Sequence, residues 1–189
     1  MEPKMRNETP LKVGAQGLLE GCEYVPSPNC DDRPAGPIEL LVIHNISLPP
    51  DEFGGDGVHR LFTNTLDASA HPYYQKIAGS KVSAHFFVRR DGQIVQFVPC
   101  LKRAWHAGES NWQGKARCND FSVGIELEGS DSVPFTDAQY LSLDRLTHAL
   151  RTAYPICGIA GHSHIAPHRK TDPGPCFDWA RYLAGQCKT

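Results

Sequence analysis

The segment TDAQYLSLDRLTHALRTAYP, at residues 136–155, has the clearest periodicity in the chain and predicts one long amphipathic helix. Thr136 and Gln139 have the spacing of a capping box, in which each side chain bonds to the backbone N–H of the other residue. Apolar residues then recur every three or four positions, which predicts a stripe facing a core, and Pro155 marks the end of the helix. Such a helix needs a second layer to pack against.

Short apolar segments ahead of this helix have the composition of β-strands. ELLVIHNIS (39–47) predicts a buried strand, and FSVGIELEG (121–129) predicts another. VSAHFFVRRDGQIVQFVP (82–99) predicts a hairpin that turns at Asp91-Gly92, where the backbone needs positive φ. Strands clustered before one long helix indicate an α/β fold, and we expect a single mixed central β-sheet packed with helices.

Weaker signals occupy the intervals between these elements. Short helices are predicted within 57–66 and 73–78. A closing helix is predicted over 177–185, with Gly185 beyond its end. Residues 104–120 are rich in Trp, Gly and Asn, and they are predicted to form a long loop.

The length of 189 residues favours one domain. Residues 1–13 are polar and lack periodicity, which predicts a disordered extension and leaves 14–189 as a single domain. We expect this domain to be a monomer.

The formal net charge of −2 argues against nucleic acid or an anionic membrane as the main partner, since both favour a basic face. No segment has the length and apolarity of a membrane span, and the polar N-terminus lacks the pattern of a secretory signal. Seven cysteines at wide spacing, with no C-x-x-C pair, are typical of free thiols in a reducing compartment. We therefore expect a cytoplasmic protein.

Histidines are the most promising chemical groups, because the common motifs of serine hydrolases, nucleotide-binding loops and zincins are absent from the sequence. The segment GHSHIAPHRKTDPGP (161–175) contains His162, His164 and His168 together with Lys170 and Asp172. A set of imidazoles and one carboxylate suits zinc with a free fourth position. A solvated polar loop is the alternative, and the spacing does not decide which histidine would be the ligand.

Three further residues lie on predicted strands near possible site segments. His44 closes the first strand, where it is either a site residue or a hydrogen-bonded core histidine. Glu126 and Glu128 share one face of the strand at 121–129. That face either meets solvent or lines a cleft in which one glutamate acts as a general base, and periodicity does not choose between the two residues.

A Cys–His hydrolase is a second chemical alternative. Cys118 and Cys176 lie in loops near the candidate segments. Neither has a local nucleophile signature, so this alternative is weak.

Six segments, taken in order, resemble one known family. They are LLVIHNISLPPDEFGG (40–55), VSAHFFVRRDGQIVQFVP (82–99), RAWHAG (103–108), CNDFSVGIELEG (118–129), FTDAQY (135–140) and GHSHIAPHRKTDPGPCFDW (161–179). Together they resemble the zinc amidase family shared by bacterial muropeptide amidases, phage amidase-lysozymes and peptidoglycan recognition proteins. The resemblance covers residues 16–185.

This resemblance implies a zinc-dependent amidase and assigns roles to five residues. The family's zinc ligands correspond to His44, His162 and Asp172, which hold one catalytic Zn²⁺. Its acid–base glutamate corresponds to Glu126, and Lys170 corresponds to the lysine that stabilises the oxyanion. His164 and His168 are left as loop residues.

The resemblance also implies the substrate, a muropeptide released during cell-wall recycling. The bond that is cut joins the lactyl group of 1,6-anhydro-N-acetylmuramic acid to L-alanine. Arg117 corresponds to a position that binds peptide carboxylates, and Lys81 stands where relatives carry a second arginine. The other expected cleft-wall residues are Asn45, Trp105 and His106, and His85 is expected to be structural or near the site.

Three alternative functions compete with this enzyme. A non-catalytic peptidoglycan binder on the same fold can lack a metal ligand, whereas all three ligand positions are filled here. A metal phosphoesterase would need a more carboxylate-rich set. A lytic amidase acting on the intact wall is the nearest enzymatic alternative, and the polar N-terminus and the insertion at 48–62 favour the cytosolic branch over it.

Overall fold

The computed structural model describes residues 10–186, which form ten β-strands, five α-helices and one 3-10 helix. The strands are β1 (Glu23–Tyr24), β2 (Cys30–Asp32), β3 (Leu40–Ile46), β4 (Phe86–Val88), β5 (Ile94–Gln96), β6 (Lys102–Ala104), β7 (Asn111–Trp112), β8 (Lys115–Ala116), β9 (Ser122–Glu128) and β10 (Gly158–Gly161). The helices are α1 (Gly57–Phe62), α2 (Pro72–Ile77), α3 (Asp137–Ala153), α4 (His162–Ile165) and α5 (Trp179–Gln186), with the 3-10 helix at Cys118–Asp120.

Six of the strands form one mixed sheet in the order β1-β5-β4-β9-β3-β10. The four strands β4, β9, β3 and β10 run parallel to one another, and β5 is antiparallel to β4. Strands β3 and β9 pair along their whole length, so that His44 lies beside Glu126. The expectation of an α/β fold with one mixed central sheet is confirmed.

The two faces of this sheet bury different sets of residues. Leu41 and Ile43 on β3 belong to one buried cluster with Ile125 on β9 and with Leu143 and Leu146 on α3. Because side chains alternate along a strand, the residues between them face away from α3. That second face carries two further buried clusters, one around α1 and α2 and one around β10. The histidine and glutamate side chains at the ends of β3 and β9 lie on this second face.

The predicted long helix and hairpin are both confirmed. Helix α3 has Thr136 as its N-cap, and the Thr136 hydroxyl accepts a hydrogen bond from the backbone N–H of Gln139 at 3.1 Å. The Gln139 side chain returns the contact to the backbone N–H of Thr136, which completes the capping box. In the β4–β5 hairpin, Gly92 has φ of +88°. Both signals were local in sequence, and they specify local geometry.

Two predictions about element boundaries are wrong. Gly185 lies inside α5 rather than beyond it. A Cβ at this position would lie 2.8 Å from a carboxylate oxygen of Asp144 on α3, so the glycine permits close approach of the two helices. The predicted loop at 104–120 contains the short β7–β8 hairpin and the 3-10 helix.

The predicted extension at 1–13 is described only in part. Residues 1–9 lie outside the described residues. Leu11 and Val13 pack against the main buried cluster, and Val13 forms a bridge with Leu19, so residues 10–13 belong to the folded part. Within 10–186, no helix has both the length and the apolarity needed to cross a bilayer.

Candidate active site

Three parallel strands bring the candidate residues to one end of the sheet. His44 is near the carboxyl end of β3, Glu126 is its neighbour on β9, and His162 follows β10 directly. In α/β sheets, ligands bind outside the carboxyl ends of parallel strands, where loops converge. A cavity of about 570 Å³ opens there, and it is lined by all three of these side chains together with Lys170 and Asp172.

Three ligand-type atoms converge in this cavity. His44 Nδ1 lies 2.8 Å from Asp172 Oδ2 and 3.0 Å from His162 Nδ1. His162 Nδ1 lies 3.0 Å from the same carboxylate oxygen. Among the described residues, these three form the cluster of His, Cys, Asp or Glu side chains that is arranged to hold a metal ion. The two side chains that come from the 161–175 segment are therefore joined by one from β3, 118 positions before His162.

The hydrogen bonds behind these atoms fit a cation. His162 Nε2 lies 3.1 Å from the carbonyl oxygen of Ala107, which can only accept, so this nitrogen carries the proton. The lone pair of His162 Nδ1 then points toward His44 and Asp172. Two imidazole nitrogens and one carboxylate oxygen are ligands that zinc takes in catalytic sites with a free position.

Burial and neighbouring charges set the ionisation of this group. Burial lowers the pKa of His44 to about 4, against the opposing effect of Asp172, so its imidazole is neutral at pH 7. Burial pushes the pKa of Asp172 upward, but contacts with His162 and His44 outweigh it and hold that pKa well below its ordinary value. At neutral pH the site presents a carboxylate and an uncharged His44 imidazole, the protonation states that metal binding requires.

The two candidate glutamates have different surroundings. Glu128 accepts hydrogen bonds from the backbone N–H groups of Gly54 at 2.5 Å and Arg90 at 2.9 Å, which occupies both of its oxygens. Glu126 lines the cavity, and its Oε2 is buried without a hydrogen-bond partner. Burial, with a contribution from the negative charge of Asp172, raises the pKa of Glu126 well above its ordinary value. Of the two glutamates, Glu126 is the one that lines the cavity with an oxygen that no described protein group engages.

A side chain on β3, that of Asn45, holds the loop that carries Lys170 and Asp172. Asn45 donates from Nδ2 to the carboxylate of Asp131 at 2.8 Å and to the carbonyl oxygen of Pro173 at 3.0 Å. Asn45 therefore lines the cavity with its amide N–H groups already engaged. It holds the loop as well as forming part of the wall.

The other expected substrate-binding residues divide into two groups. Trp105 and His106 line the cavity, and His106 Nδ1 also lies 2.9 Å from His44 Nε2. Arg117 and Lys81 are exposed and do not line it. The Arg117 guanidinium lies 3.2 Å from the carboxylate of Asp120.

The remaining histidines lie outside the cavity lining. His164 accepts from the backbone N–H of Gly161 at 3.0 Å, and its ring lies 5.0 Å from that of Trp179. His168 is exposed. His85 is buried and accepts from the backbone N–H of Gly124 at 3.0 Å, which fits the expected structural position.

The Cys–His alternative has no geometric support. Neither Cys118 nor Cys176 lines the cavity. Burial raises the pKa of Cys118, which disfavours the thiolate that a nucleophile would need.

Several residues around the site were not identified from the sequence. Asn119 and Ser122 contact the His106 segment, and Arg169 donates to the carbonyl oxygens of Ala107 at 2.8 Å and Glu109 at 2.7 Å. Their side chains form hydrogen bonds with backbone groups or with side chains that are distant in sequence, so no local pattern identifies them. The one available signal was their position next to residues that carry chemistry.

Comparisons with protein families, with characterised proteins and with solved structures all identify the same family. The model of the N-acetylmuramoyl-L-alanine amidase family Amidase_2 matches residues 34–175. The chain is 58% identical over 173 residues to the 1,6-anhydro-N-acetylmuramyl-L-alanine amidase AmpD of Citrobacter freundii, which covers 89% of this chain and 92% of that protein. A crystal structure of a selenomethionine AmpD derivative has a TM-score of 0.87 and 59% identity, covering 90% of this chain and 97% of the other.

A more distant structure contains a bound substrate. It is the Escherichia coli amidase AmiD in complex with anhydro-N-acetylmuramic acid-L-Ala-D-gamma-Glu-L-Lys. Its TM-score is 0.59 at 29% identity, over 95% of this chain and 66% of that chain.

Proposed function

The chain belongs to the N-acetylmuramoyl-L-alanine amidase family, and we propose that it is a zinc-dependent enzyme of cell-wall recycling that acts on free muropeptides. The bond it cuts joins the lactyl group of 1,6-anhydro-N-acetylmuramic acid to L-alanine. The observation that carries this proposal is the convergence of His44, His162 and Asp172 beside Glu126, whose Oε2 has no hydrogen-bond partner.

His44, His162 and Asp172 would hold the zinc ion. When bound, zinc supplies Lewis-acid chemistry that activates water and polarises the amide carbonyl. The donor set supports zinc over a hard cation such as Mg²⁺, which favours oxygen ligands. Three protein ligands would leave the ion able to take water or a substrate oxygen as a further ligand.

Glu126 moves the proton in this proposal. Its buried Oε2 has no other hydrogen-bond partner and lies beside the metal ligands, so it accepts the proton of the attacking water and delivers it to the departing amine. An amine leaves poorly unless it is protonated, so the reaction depends on this transfer. The raised pKa of Glu126 makes its carboxylate a stronger base, which favours the first half of the transfer, in which it accepts the proton.

Lys170 supplies positive charge in this proposal. It lines the cavity two residues before Asp172, where its charge would stabilise the oxyanion of the tetrahedral intermediate. One such contact contributes about 3–4 kcal/mol in comparable sites.

The cavity is suited to a molecule with both polar and apolar parts. Leu48, Leu61 and Phe62 form an apolar wall, while Trp105 and the catalytic groups line the rest. The AmiD complex supports an anhydro-muramyl peptide as the ligand class. Arg117 would bind a peptide carboxylate after releasing Asp120, and Lys81 would add a second positive charge at the rim.

A direct assay tests this function. Purified protein is incubated with anhydro-muramyl-tripeptide, with and without chelator, and the products are identified by mass. We expect free anhydro-N-acetylmuramic acid and tripeptide, loss of turnover with chelator, and recovery on adding zinc. Intact substrate after incubation with the zinc-loaded protein would contradict the proposal.

Parallel assays test the finer parts of the proposal. We expect intact peptidoglycan to be a poor substrate, which separates this enzyme from a lytic amidase. We also expect a monomer in solution by light scattering, and recovery in the cytoplasmic fraction when host cells are fractionated.

A further inference from the structure

The segment Trp105–Ala107 contacts the Nε2 atoms of His44 and His162, the two histidines of the candidate metal centre, whose Nδ1 atoms face each other. We propose that this segment, held by Asn119, positions His44 and His162 for the metal and thereby sets metal affinity. The inference rests on the proposed zinc site and assigns roles to residues that do not touch the metal themselves. His106 is thus a positioning residue as well as a wall of the cavity.

The first support is the carbonyl group of Ala107. It accepts the Nε2–H of His162 at 3.1 Å, which orients the ring and leaves Nδ1 unprotonated. The same carbonyl accepts from Arg169 Nη2 at 2.8 Å. The position of one backbone carbonyl therefore determines where the His162 lone pair points.

The second support is the His106 ring. Its Nδ1 lies 2.9 Å from His44 Nε2, and its Nε2 lies 3.2 Å from the hydroxyl of Ser122. With His44 Nδ1 committed to a cation, His44 Nε2 must carry the proton and donate it to His106 Nδ1. His106 then carries its own proton on Nε2 and donates to Ser122. This single arrangement of protons satisfies all the hydrogen bonds that link His44, His106 and Ser122.

The backbone between these two supports is fixed by a single side chain. Asn119 Oδ1 accepts from the N–H of Ala107 at 2.8 Å and from the N–H of His106 at 3.2 Å. The backbone carbonyl of Asn119 accepts from Arg33 at 2.9 Å. Displacement of Asn119 would move both supports together.

The sheet leaves room for the His106 ring. Gly124 lies on the second face of β9, two residues before Glu126, and a Cβ there would lie 2.5 Å from Cγ of His106. Any larger residue at this position would displace the ring from His44. The absence of a side chain at Gly124 therefore allows His106 to reach His44.

Groups that orient a metal-bound histidine commonly contribute 10- to 100-fold to metal affinity. For His106→Phe, which keeps a flat ring but removes the acceptor, we expect zinc affinity to fall by about 10- to 100-fold. His106→Asn places an amide oxygen close to the position of Nδ1, so it should restore much of the loss. His168→Phe removes an exposed histidine of the ligand loop and should bind zinc like the parent protein.

The experiment measures zinc stoichiometry and affinity by chelator competition for the parent protein and the three variants, with thermal unfolding of each metal-free protein as a check on folding. Nitrogen-15 NMR of the zinc-loaded parent protein reports which nitrogen of His106 carries its proton. We expect one zinc ion per chain. Zinc affinity should be highest for the parent protein, lower for His106→Asn and lowest for His106→Phe, and the NMR spectrum should place the His106 proton on Nε2.

The outcomes separate this inference from the function on which it rests. A parent protein that binds no zinc overturns both. A parent that binds one zinc with a His106→Phe variant of equal affinity, or with the His106 proton on Nδ1, overturns the positioning role alone. If His106→Phe does not fold, the NMR measurement on the parent still decides the question.

Discussion

Glu126 and Glu128 are two positions apart on one strand face, yet their environments assign them different roles. The backbone N–H groups of Gly54 and Arg90 occupy Glu128, while Glu126 has a buried oxygen with no partner. Strand periodicity placed both on the same face, but hydrogen bonds from residues 38 and 74 positions away separate them. The sequence resemblance selected Glu126, and a physical reason for that choice required the structure.

Replacing Glu126 by glutamine tests its role in proton transfer. The change keeps the shape and removes the exchangeable proton, so we expect zinc to remain bound and turnover to fall by about 10²- to 10⁴-fold. Metal analysis and steady-state kinetics on the anhydro-muramyl peptide measure the two effects. Glu128→Gln is the matched comparison, and it should destabilise the fold while leaving the chemical step nearly intact. Near-normal turnover in Glu126→Gln would exclude this residue as the acid–base group.

The same variant has a pH-dependent effect on stability. Burial raises the pKa of Glu126 in the folded chain, whereas the unfolded chain releases this proton near its ordinary value of 4.5. The contribution of Glu126 to the stability of the metal-free wild-type protein therefore falls as pH rises above 4.5, until the folded pKa is reached. Glutamine has no proton to release, so the free energy of unfolding of Glu126→Gln should exceed that of the wild type increasingly above this pH. Urea unfolding of both chelated proteins at pH 4 and pH 7 measures the difference, and an equal difference at both pH values would contradict the prediction.

At the ligand carboxylate, Asp172→Ala should abolish stoichiometric zinc binding and leave the fold intact. Asp172 Oδ2 lies 2.8 Å from Nδ1 of His44 and 3.0 Å from Nδ1 of His162, and Asp172 is not part of the buried apolar clusters. Asp32→Ala, which removes an exposed carboxylate, is the control. Metal analysis and circular dichroism test both variants, and retained zinc in Asp172→Ala would reject it as a ligand.

Among the secondary-structure elements, those with local signals were predicted and those that depend on long-range pairing were not. Helix α3 and the β4–β5 hairpin are specified by caps, turns and periodicity within a few residues. Strand β10 has only four residues, two of them glycine, and its extended form depends on parallel pairing with β3 more than 110 residues earlier. The architecture was therefore predictable from the sequence, whereas the strand that ends directly before His162 was missed.

The N-cap of α3 provides a test at this scale. The Thr136 hydroxyl accepts from the N–H of Gln139 and donates to the carbonyl of Arg90 at 2.7 Å, so it joins the helix to the hairpin. We expect Thr136→Ala to lower the free energy of unfolding by about 1–2 kcal/mol without changing zinc affinity. Thr152→Ala, in the last turn of the same helix, should have a smaller effect. Urea unfolding of both variants measures this, and equal losses would argue against the capping role.

For the molecule as a whole, the parallel order of β9, β3 and β10 produces the site. Because their carboxyl ends meet, strand β3 and the loop that follows β10 bring His44 and Asp172, two candidate metal ligands 128 positions apart in sequence, to one point. No periodicity in the sequence encodes that meeting. It followed from the family resemblance, and the register of β3 with β9 and β10 gives its physical basis.

This arrangement predicts that zinc stabilises one part of the molecule more than another. A ligand that binds only the folded state stabilises it by about 4 kcal/mol at a thousand times its dissociation constant. A bound ion would join β3 to residues 162–172, while α3 packs on the other face of the sheet. Removing zinc should therefore lower Tm and increase local hydrogen exchange in 162–172 and 105–107, with little change in α3 beyond the global effect. Exchange measured by mass spectrometry on zinc-loaded and chelated protein resolves these segments, and Asp172→Ala should show no response to zinc. A uniform change along the chain would mean that the ion does not act by joining this loop to the sheet.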